Sequence, residues 1–437
     1  MTGRTARWLG LAAAALLLLV GLLARLPAPG STVLRLGVFS GSYWGTPNGS
    51  SYQVLDDAIA RFEQAHPGVT VEYESGIPVD EYSEWLAGQL LGGNEPDVFF
   101  VLPDDFGLLA EIGALAPLDD RMGGEDGLDP ALYYDACLQA GQLGGNQLAL
   151  PYESAATVMF VNRTLLEAYG IPMPRNDWTW QDLYTICQTI ADAQPDSTDR
   201  DYGLYGYTWQ NALYANGSTL FSLDGRQCYL ADDRTRAAIQ FVQQLDALNG
   251  GFTVSAQDFD TGHVAFRPFL FSEYRAYQPY PWRVKKYSSF VWDCLQMPAG
   301  PDGTNASELY TVQVGISARS LHADLAWELL CTLCADTTTQ GELFLQSQGI
   351  SPLRSVAEDT TLLDRIFAET QGSSTFNSAT IGEIMHKAIA VSQFADRAQA
   401  VAMAESAVND AVADGQSLAT ALPTAQRQIN LYLQNTG

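Results

Sequence analysis

Apolar residues in the N-terminal third of the chain follow two alternating periods. Compact apolar runs at 33–39, 69–73 and 97–101 have the length of buried strands, and the stretches between them place apolar residues at helical spacing. Gly68 and the pair Gly92-Gly93 mark the ends of the two intervening helices. A strand–helix repetition of this kind predicts a parallel sheet with helices on both faces.

The pattern changes after residue 155 but stays of the mixed α/β type. Thr179 fits a helix N-cap, and Asp182 stands three residues later, where a capping-box partner belongs. The helix that they open has Leu183, Cys187 and Ile190 on one face. Further strands are predicted at 157–161 and 310–317, and further helices at 163–169, 234–248, 324–334 and from about 358 to the end.

Aromatic and acidic residues directly follow two of the N-terminal strands. Ligands of parallel sheets bind beyond the carboxyl ends of the strands. Tyr43 and Trp44 follow the first strand, and Asp104 and Asp105 follow the third. The two carboxylates would accept hydroxyl donors of a ligand, or alternatively cap the helix predicted at 106–112. These four residues are therefore candidate ligand contacts.

Aromatic side chains are concentrated in two later segments, 178–214 and 269–292. Their number exceeds what one core stripe needs, although a large aromatic core remains the alternative interpretation. A flat ring offers an apolar face to the C–H face of a pyranose, while its polar edge forms hydrogen bonds. Neutral carbohydrate is therefore the leading ligand class. Trp209, which follows a glycine-rich run and is expected in a loop, and Trp282 are the individual candidates.

The charge of the chain limits its partners. The 437 residues carry a formal net charge of −27, and because residues 1–30 contribute +3, the remainder carries −30. Such a surface repels nucleic acid and anionic lipid headgroups, so no nucleic-acid partner is expected. Hydrophobic residues make up 47% of the chain, which is typical of a packed globular protein, and the length predicts two domains.

The N-terminus has the features of an export signal. Arg4 and Arg7 precede an uninterrupted apolar run at 9–24, which directs the remainder of the chain out of the cytoplasm. The first cysteine is Cys137, so a lipid anchor is not expected. The poor cleavage site that follows the run favours a retained membrane anchor over a cleaved signal.

Residues of the usual catalytic and metal-binding types form no recognisable pattern. The four histidines are scattered, no nucleophile or phosphate-loop motif is present, and the acidic stretch 119–129 lacks the order of a calcium loop. Cys331 and Cys334 form a C-x-x-C inside a helical pattern, so buried thiols are a better interpretation than a redox pair or a zinc site. We expect no catalytic residue, no metal and no cofactor.

Four short motifs occur in the order and at roughly the spacing of a known family. They are Leu148-Ala-Leu-Pro-Tyr-Glu153, Thr179-Trp-Gln-Asp-Leu183, Gly262-His-Val-Ala-Phe266 and Gly349-Ile-Ser-Pro-Leu-Arg-Ser-Val356. On these motifs the chain resembles the extracellular solute-binding proteins of bacterial ABC importers, the group that includes the maltose-binding protein. The resemblance implies capture of a small molecule without catalysis, and delivery to the permease subunits of a transporter. We expect a monomer.

The resemblance also implies an α/β fold of two lobes, each a mostly parallel sheet flanked by helices. In that family the chain crosses between the lobes three times, and by position the crossings here lie near 150–156, 293–298 and 349–353. The N-terminal segment would be 1–30, the first lobe 31–152 with 297–350, and the second lobe 155–294 with 352–437.

Family position adds three candidates to the predicted site. Tyr152 and Glu153 lie at the first crossing, which faces the cleft in the resembled proteins; hinge packing is the alternative role. The family commonly places a ligand-stacking tryptophan a few residues beyond the motif at 262–266. Here that segment continues differently, and Trp282 is the nearest tryptophan downstream.

Three alternatives remain open at the level of sequence. The same fold binds polyamines or other cations, which the surplus of acidic residues would suit, and such binding weakens with salt. An exported enzyme acting on glycans would turn its substrate over. A membrane-tethered sensor would use the retained anchor and report its ligand to a partner kinase.

Overall fold

The structure is a computed structural model that describes residues 32–45, 51–124, 127–193, 200–277, 290–367 and 378–436. The strands are β1 (Thr32–Gly37), β2 (Val69–Tyr73), β3 (Val98–Val101), β4 (Gln142–Leu143), β5 (Asn146–Gln147), β6 (Ala149–Asn162), β7 (Tyr202–Leu204), β8 (Val264–Leu270), β9 (Trp292–Leu295), β10 (Glu308–Ile316) and β11 (Ile389–Ala390).

The helices of the first half are α1 (Ser51–Ala65), α2 (Val79–Gly92), α3 (Phe106–Glu111), α4 (Asp135–Gln139), α5 (Arg163–Ala168), α6 (Trp180–Asp192), α7 (Trp209–Ala215) and α8 (Asp233–Ala247). Those of the second half are α9 (Ala256–Asp260), α10 (Phe271–Tyr277), α11 (Ala323–Cys334), α12 (Thr337–Gln346), α13 (Arg354–Ala357), α14 (Thr360–Phe367), α15 (Ser378–Lys387), α16 (Arg397–Ala413) and α17 (Leu418–Thr436).

A nine-stranded sheet runs through the described part of the chain in the order β2-β1-β3-β10-β6-β8-β7, with β11 beside β10 and β9 beside β6. β1 is parallel to β2 and β3, as the strand–helix repetition predicts. β10, however, is antiparallel to both β3 and β6, and β6 is antiparallel to β8 and β9. The sheet is thus more mixed than the sequence indicates, because β10 returns from late in the chain and inserts between earlier strands.

The long strand β6 belongs to both lobes. Its first half, up to Ala156, pairs with β10, and its second half, from Thr157, pairs with β8 and β9. Every residue of β6 except Glu153 is buried. The lobes are therefore joined by a hydrogen-bonded strand and not by a flexible linker, and the two-lobed α/β fold is confirmed.

Two hydrophobic cores lie on either side of this junction. The first packs α1, α2 and α11 against β1 and β3, with Phe62 and Tyr82 almost fully buried. The second packs α6, α7 and α8 together with the C-terminal helices α16 and α17. A third cluster, which includes Phe160, Tyr274 and Phe344, lies between them. Two separate cores joined by a shared cluster are what two lobes on one sheet require.

The start of α6 shows how local sequence sets the fold. The Thr179 hydroxyl accepts the Asp182 N–H at 3.3 Å, and the Asp182 carboxylate accepts the Thr179 N–H at 2.8 Å. This reciprocal pair is the predicted capping box. Trp180, directly after the cap, stacks on Phe241 with ring centroids 4.3 Å apart. The cap therefore fixes α6 where its first residue packs against α8.

The segment that precedes β10 lies with the second lobe. The Ala299 N–H donates to the Trp178 carbonyl at 3.0 Å, and the Gly300 N–H donates to the Ala215 carbonyl at 3.0 Å. The Asn305 side chain also donates to the Trp178 carbonyl, at 2.8 Å. We therefore propose that the second crossing falls between Asn305 and the start of β10, several residues later than the sequence suggested.

All six cysteines are free thiols, and all except Cys331 are buried. Cys331 and Cys334 lie within α11, as the helical pattern predicts. Burial raises the pKa of the Cys331 thiol to about 12, which keeps this thiol protonated and unreactive. The prediction of a buried thiol is confirmed for Cys334, whereas Cys331 is only half-buried.

Among the residues described, no helix is both long and apolar enough to cross a bilayer. The apolar run at 9–24, where we expect the export signal or anchor, lies outside the described residues.

Candidate functional site

The loops after β1 and β3 meet at one edge of the sheet, as expected for adjacent parallel strands. The Tyr43 hydroxyl donates a hydrogen bond to the exposed carboxylate of Asp104 at 3.2 Å. Burial and the nearby Asp104 carboxylate raise the pKa of Tyr43 well above its ordinary value, so its phenol is a stable donor. Tyr43 and Asp104, which are 61 positions apart, are therefore neighbours at the predicted place.

Their sequence neighbours are directed elsewhere. Asp105 accepts the Ser83 hydroxyl at 2.6 Å and so faces α2, and burial raises the pKa of its carboxyl group. It precedes α3 but makes no side-chain cap there. Trp44 belongs to the first core, with 6% of its surface exposed, and meets the Tyr43 ring edge-on at 5.2 Å. Trp44 therefore packs against Tyr43, and Asp105 is hydrogen-bonded to α2.

Tyr152 and Glu153 lie at the hinge, where β6 passes Gly349. The Tyr152 ring is buried and packs edge-on against Phe100 at 4.7 Å. The Glu153 carboxylate accepts the Gly349 N–H at 2.7 Å. Burial raises the pKa of Glu153, and this hydrogen bond opposes the rise. In this conformation both side chains contribute to packing and pairing within the hinge.

Trp209 is the first residue of α7 and not a loop residue. The Thr208 hydroxyl and the Asn211 side chain form a capping box that starts the helix immediately after the glycine-rich run. Only 8% of Trp209 is exposed, and it packs in the second core. The prediction that Trp209 lies in a loop is wrong, because the glycine-rich loop was expected to continue past Gly206 whereas the helix begins at Trp209. Trp282 lies outside the described residues.

A cavity of about 400 Å³ lies between α7, β10 and α16. Its polar and aromatic lining includes Gln210, Tyr214, Glu308, Tyr310, Arg397 and Glu405. Tyr310 connects this cavity to the loops at the sheet edge: burial raises its pKa to about 12, and the carboxylates of Glu308 and Asp104 add to the shift. We call the cavity, taken together with the Tyr43–Asp104 pair, the interlobe cleft.

Glu308 is the most deeply placed charged group of the interlobe cleft, with 7% of its surface exposed. Its Oε1 accepts the Asn211 side-chain amide at 2.7 Å and the Thr157 hydroxyl at 3.1 Å. Its Oε2 has no hydrogen-bond partner among the residues that the structure describes. Burial raises the pKa of Glu308, and the hydrogen bonds from its own backbone N–H, Thr157 and Asn211 oppose the rise without cancelling it.

Helix α16 supplies the opposite wall of the cleft. Arg397 is its first residue, and Glu405 follows two turns later on the same face. The Gln210 side chain donates to Glu405 at 2.8 Å, which links α7 to α16. Acceptors, donors and tyrosine rings thus alternate around the cavity. Such a lining is suited to a ligand with many hydrogen-bonding groups and an apolar face.

Little in the sequence indicates the residues that line this cavity. Tyr214 falls in the predicted aromatic segment, but Glu308 and Tyr310 open an otherwise apolar strand, and Arg397 and Glu405 lie in the C-terminal helices. The one usable signal was an acidic residue at the start of a buried strand. Within the described residues no group of three or more histidine, cysteine or carboxylate side chains is arranged to hold a metal ion.

A family model described as "Bacterial extracellular solute-binding protein" matches residues 46–332, which is more than half of the chain. The chain belongs to this family. The family prediction made from the four motifs is therefore confirmed. Members of the family capture solutes outside the cytoplasm, so a role in solute binding for an ABC importer follows from membership.

Solved structures of this solute-binding protein's fold cover nearly all of the chain. The cyclic alpha-maltosyl-1,6-maltose binding protein from Arthrobacter globiformis has a TM-score of 0.76 at 19% identity, covering 93% of this chain and 100% of that one. The sugar-binding protein MalE from Xanthomonas citri has a TM-score of 0.71 at 17% identity, covering 92% and 98%. An ABC substrate-binding protein from Listeria monocytogenes, in complex with cycloalternan, has 0.65 at 18%, covering 92% and 99%. These likenesses establish the fold.

Proposed function

We propose that this solute-binding protein captures a carbohydrate in the interlobe cleft and delivers it intact to the permease of an ABC importer. The observation that carries the proposal is the lining of the cleft, where Tyr43, Tyr214 and Tyr310 stand among acceptors and donors. Tyrosine combines an apolar ring face with a polar edge, which is what a pyranose requires. The three structurally similar proteins named above are described as a cyclic alpha-maltosyl-1,6-maltose binding protein, a sugar-binding protein and a substrate-binding protein in complex with cycloalternan, which supports the same ligand class.

The proposed mechanism is closure of the two lobes over the sugar. Tyr43 and Asp104 belong to the first lobe, whereas Tyr214 and Arg397 belong to the second, so a ligand that touches both sets favours the closed form. Ligand shifts the equilibrium only by its differential affinity for that form. We propose that the protein acts as a monomer, without catalysis, and that residues 9–24 hold it at the outer face of the membrane.

A thermal-shift screen tests the ligand class. The panel contains mono- and oligosaccharides, polyamines and amino acids. A ligand at about one hundred times its dissociation constant stabilises the native state by about 2.7 kcal/mol, which is a readable shift. We expect hits among the sugars, with the sugar recovered chemically unchanged after incubation.

Two outcomes of the screen would redirect the proposal. Hydrolysis products after incubation would identify a glycan-acting enzyme and reject simple capture. A response to polyamines without a response to any sugar would move the function to the cationic alternative. A permease-dependent uptake assay, with and without the gene for this protein, separates import from sensing.

A further inference from the structure

The interlobe cleft contains one carboxylate, that of Glu308, with an oxygen that no described residue pairs. Glu308 is more than nine-tenths buried, and it lines the cavity. Its Oε1 is satisfied by Thr157 and Asn211, while its Oε2 has no partner among the described residues. A buried polar atom left unpaired costs free energy, and a buried charge costs more, unless a partner arrives. Native structures retain such an atom only for a reason, and a ligand site is one such reason.

The surroundings of Glu308 are acidic overall. Glu405 lines the same cavity from α16, and Asp104 lies beside Tyr310 at the edge of the first lobe. Arg397 is the cation of the cavity wall, and its charge acts on Tyr214 and Tyr310. The donors that reach Glu308 itself, a hydroxyl and an amide, are both neutral. Two carboxylates and one guanidinium therefore line the cavity, and the more buried carboxylate lacks a cationic hydrogen-bond partner in the part of the chain described.

We propose that the interlobe cleft selects a carbohydrate that carries a basic amine, and that its ammonium group binds Glu308. This inference rests on the proposed function and narrows its ligand class. A neutral sugar hydroxyl would satisfy the free oxygen but would not compensate the charge of the ionised carboxylate. An ammonium group supplies both a donor and a compensating charge, and charge-assisted hydrogen bonds are the stronger kind. Because Oε2 is buried in this conformation, binding of the ammonium group requires the Glu308 carboxylate to rotate towards the cavity.

The other polar groups of the cleft then bind the sugar ring. Tyr43, Gln210 and Arg397 provide donors for ring hydroxyls and ring oxygens, and Asp104 and Glu405 provide acceptors. The ring and its hydroxyls distinguish this ligand from a polyamine, because a flexible chain of methylenes would leave these ring-directed groups unpaired. The groups directed at the ring thus select a sugar, and Glu308 selects a positively charged amine on that sugar.

Calorimetric titration of the whole protein with matched pairs of ligands tests the inference. Two matched pairs are glucosamine with glucose and galactosamine with galactose. A third set compares the β-1,4-linked trimers of glucosamine, of N-acetylglucosamine and of glucose. We expect at least one amine to bind about tenfold or more tightly than its neutral partner, and salt to reduce this preference. Glu308→Gln keeps the size of the side chain and an oxygen that accepts from Thr157 and Asn211, but it removes the negative charge. This variant should abolish the preference for the amine.

The control is Glu167→Gln, since Glu167 is exposed on α5 away from the cleft. This variant should keep the preference for the amine. The inference is overturned if no amine binds more tightly than its neutral partner, or if Glu308→Gln leaves the preference unchanged. Tight binding of a neutral sugar alone would reject the inference and leave the proposed function standing. Binding of spermidine with no response to any sugar would reject both.

Discussion

Glu153 and Glu308 lie on adjacent strands at the junction of the lobes, but their surroundings differ. Glu153 accepts the Gly349 N–H, and the guanidinium of Arg275 lies close enough to lower its pKa. Arg275 in turn donates to the carbonyls of Phe344 and Leu345 at the end of α12, at 2.5 and 3.2 Å. The charged groups of the hinge therefore have hydrogen-bond partners within the protein, and a cation lies near the carboxylate.

The cleft network around Glu308 is open by comparison. Its donors are neutral, and one carboxylate oxygen is unpaired in the described structure. The difference suggests how to separate a structural polar group from a binding group at the junction of the lobes. A hinge acid has its complete set of partners within the fold, whereas a binding acid has part of its set supplied by the ligand. The following experiments test that separation.

The largest effect is expected at Gly349. A Cβ placed there would lie 2.4 Å from Glu153 Cγ, so Gly349→Ala forces the hinge acid out of position. Overpacking of this kind costs about 1–3 kcal/mol of unfolding free energy. Urea denaturation measures the loss. The control is Gly341→Ala in α12, where the nearest atom is 3.7 Å away; alanine in a helix interior should stabilise by about 0.5–1 kcal/mol. Equal effects of the two substitutions would contradict the account of the hinge.

Arg275→Met should have the next largest effect. The substitution keeps an apolar stem but removes the donor to two helix-end carbonyls and the cation near Glu153. Hydrogen bonds of charged groups contribute about 1.5–3 kcal/mol, so we expect a loss near the lower end because the residue is only partly buried. Arg175→Met, at a well-exposed ion pair, should change the free energy of unfolding by less than about 0.5 kcal/mol. An unchanged midpoint for Arg275→Met would show that the hinge network is not a source of stability.

Tyr43→Phe separates binding from folding in the cleft. The substitution removes the hydroxyl that donates to Asp104 at the sheet edge but keeps the ring and its contact with Trp44. We expect sugar affinity to fall by about five- to tenfold, corresponding to about 1 kcal/mol for one hydrogen bond. The unfolding midpoint should stay almost constant, since Asp104 is exposed to water. A loss of stability without a loss of affinity would place Tyr43 with the hinge and not with the cleft.

The smallest effect concerns pH. Burial raises the pKa of both Glu153 and Glu308 above the unfolded value. The folded state therefore holds its protons more tightly, so their contribution to stability is complete below the unfolded pKa and declines as pH rises through the folded pKa. Glu308→Gln and Glu153→Gln should each flatten part of this decline in thermal melts. A saturating amino sugar should remove the Glu308 contribution but leave that of Glu153. No change with ligand would contradict the assignment of the two acids.

Much of the fold could be predicted from local pattern. The apolar runs gave β1, β2 and β3 closely, and Thr179 with Asp182 gave the start of α6, because short-range periodicity and capping depend only on nearby residues. The rule for parallel strands also brought Tyr43 and Asp104 together from separate loops. These successes rest on local patterns and on one general rule of sheet geometry.

The second half of the cleft could not be found in the same way. Glu308 reaches the cavity only because β10 inserts beside β6, and Arg397 only because α16 returns across the second lobe. Neither placement has a local signature. The tryptophans favoured from sequence illustrate the opposite error. Trp44 and Trp209 carry large apolar surfaces, and burial in the two cores outweighs exposure to a wet cleft.

The continuity of β6 has a consequence for how the chain reaches its native state. The first lobe completes its sheet only when β10, ending at Ile316, is inserted between β3 and β6. During synthesis, the N-terminal 150 residues therefore emerge with an unpaired strand edge. This edge stays unpaired until about 150 further residues have been made. Separating the lobes by a cut within β6 would leave such an edge on both fragments, where a second chain can pair. The first lobe is thus distinct in outline, but one continuous segment of the chain does not complete its sheet.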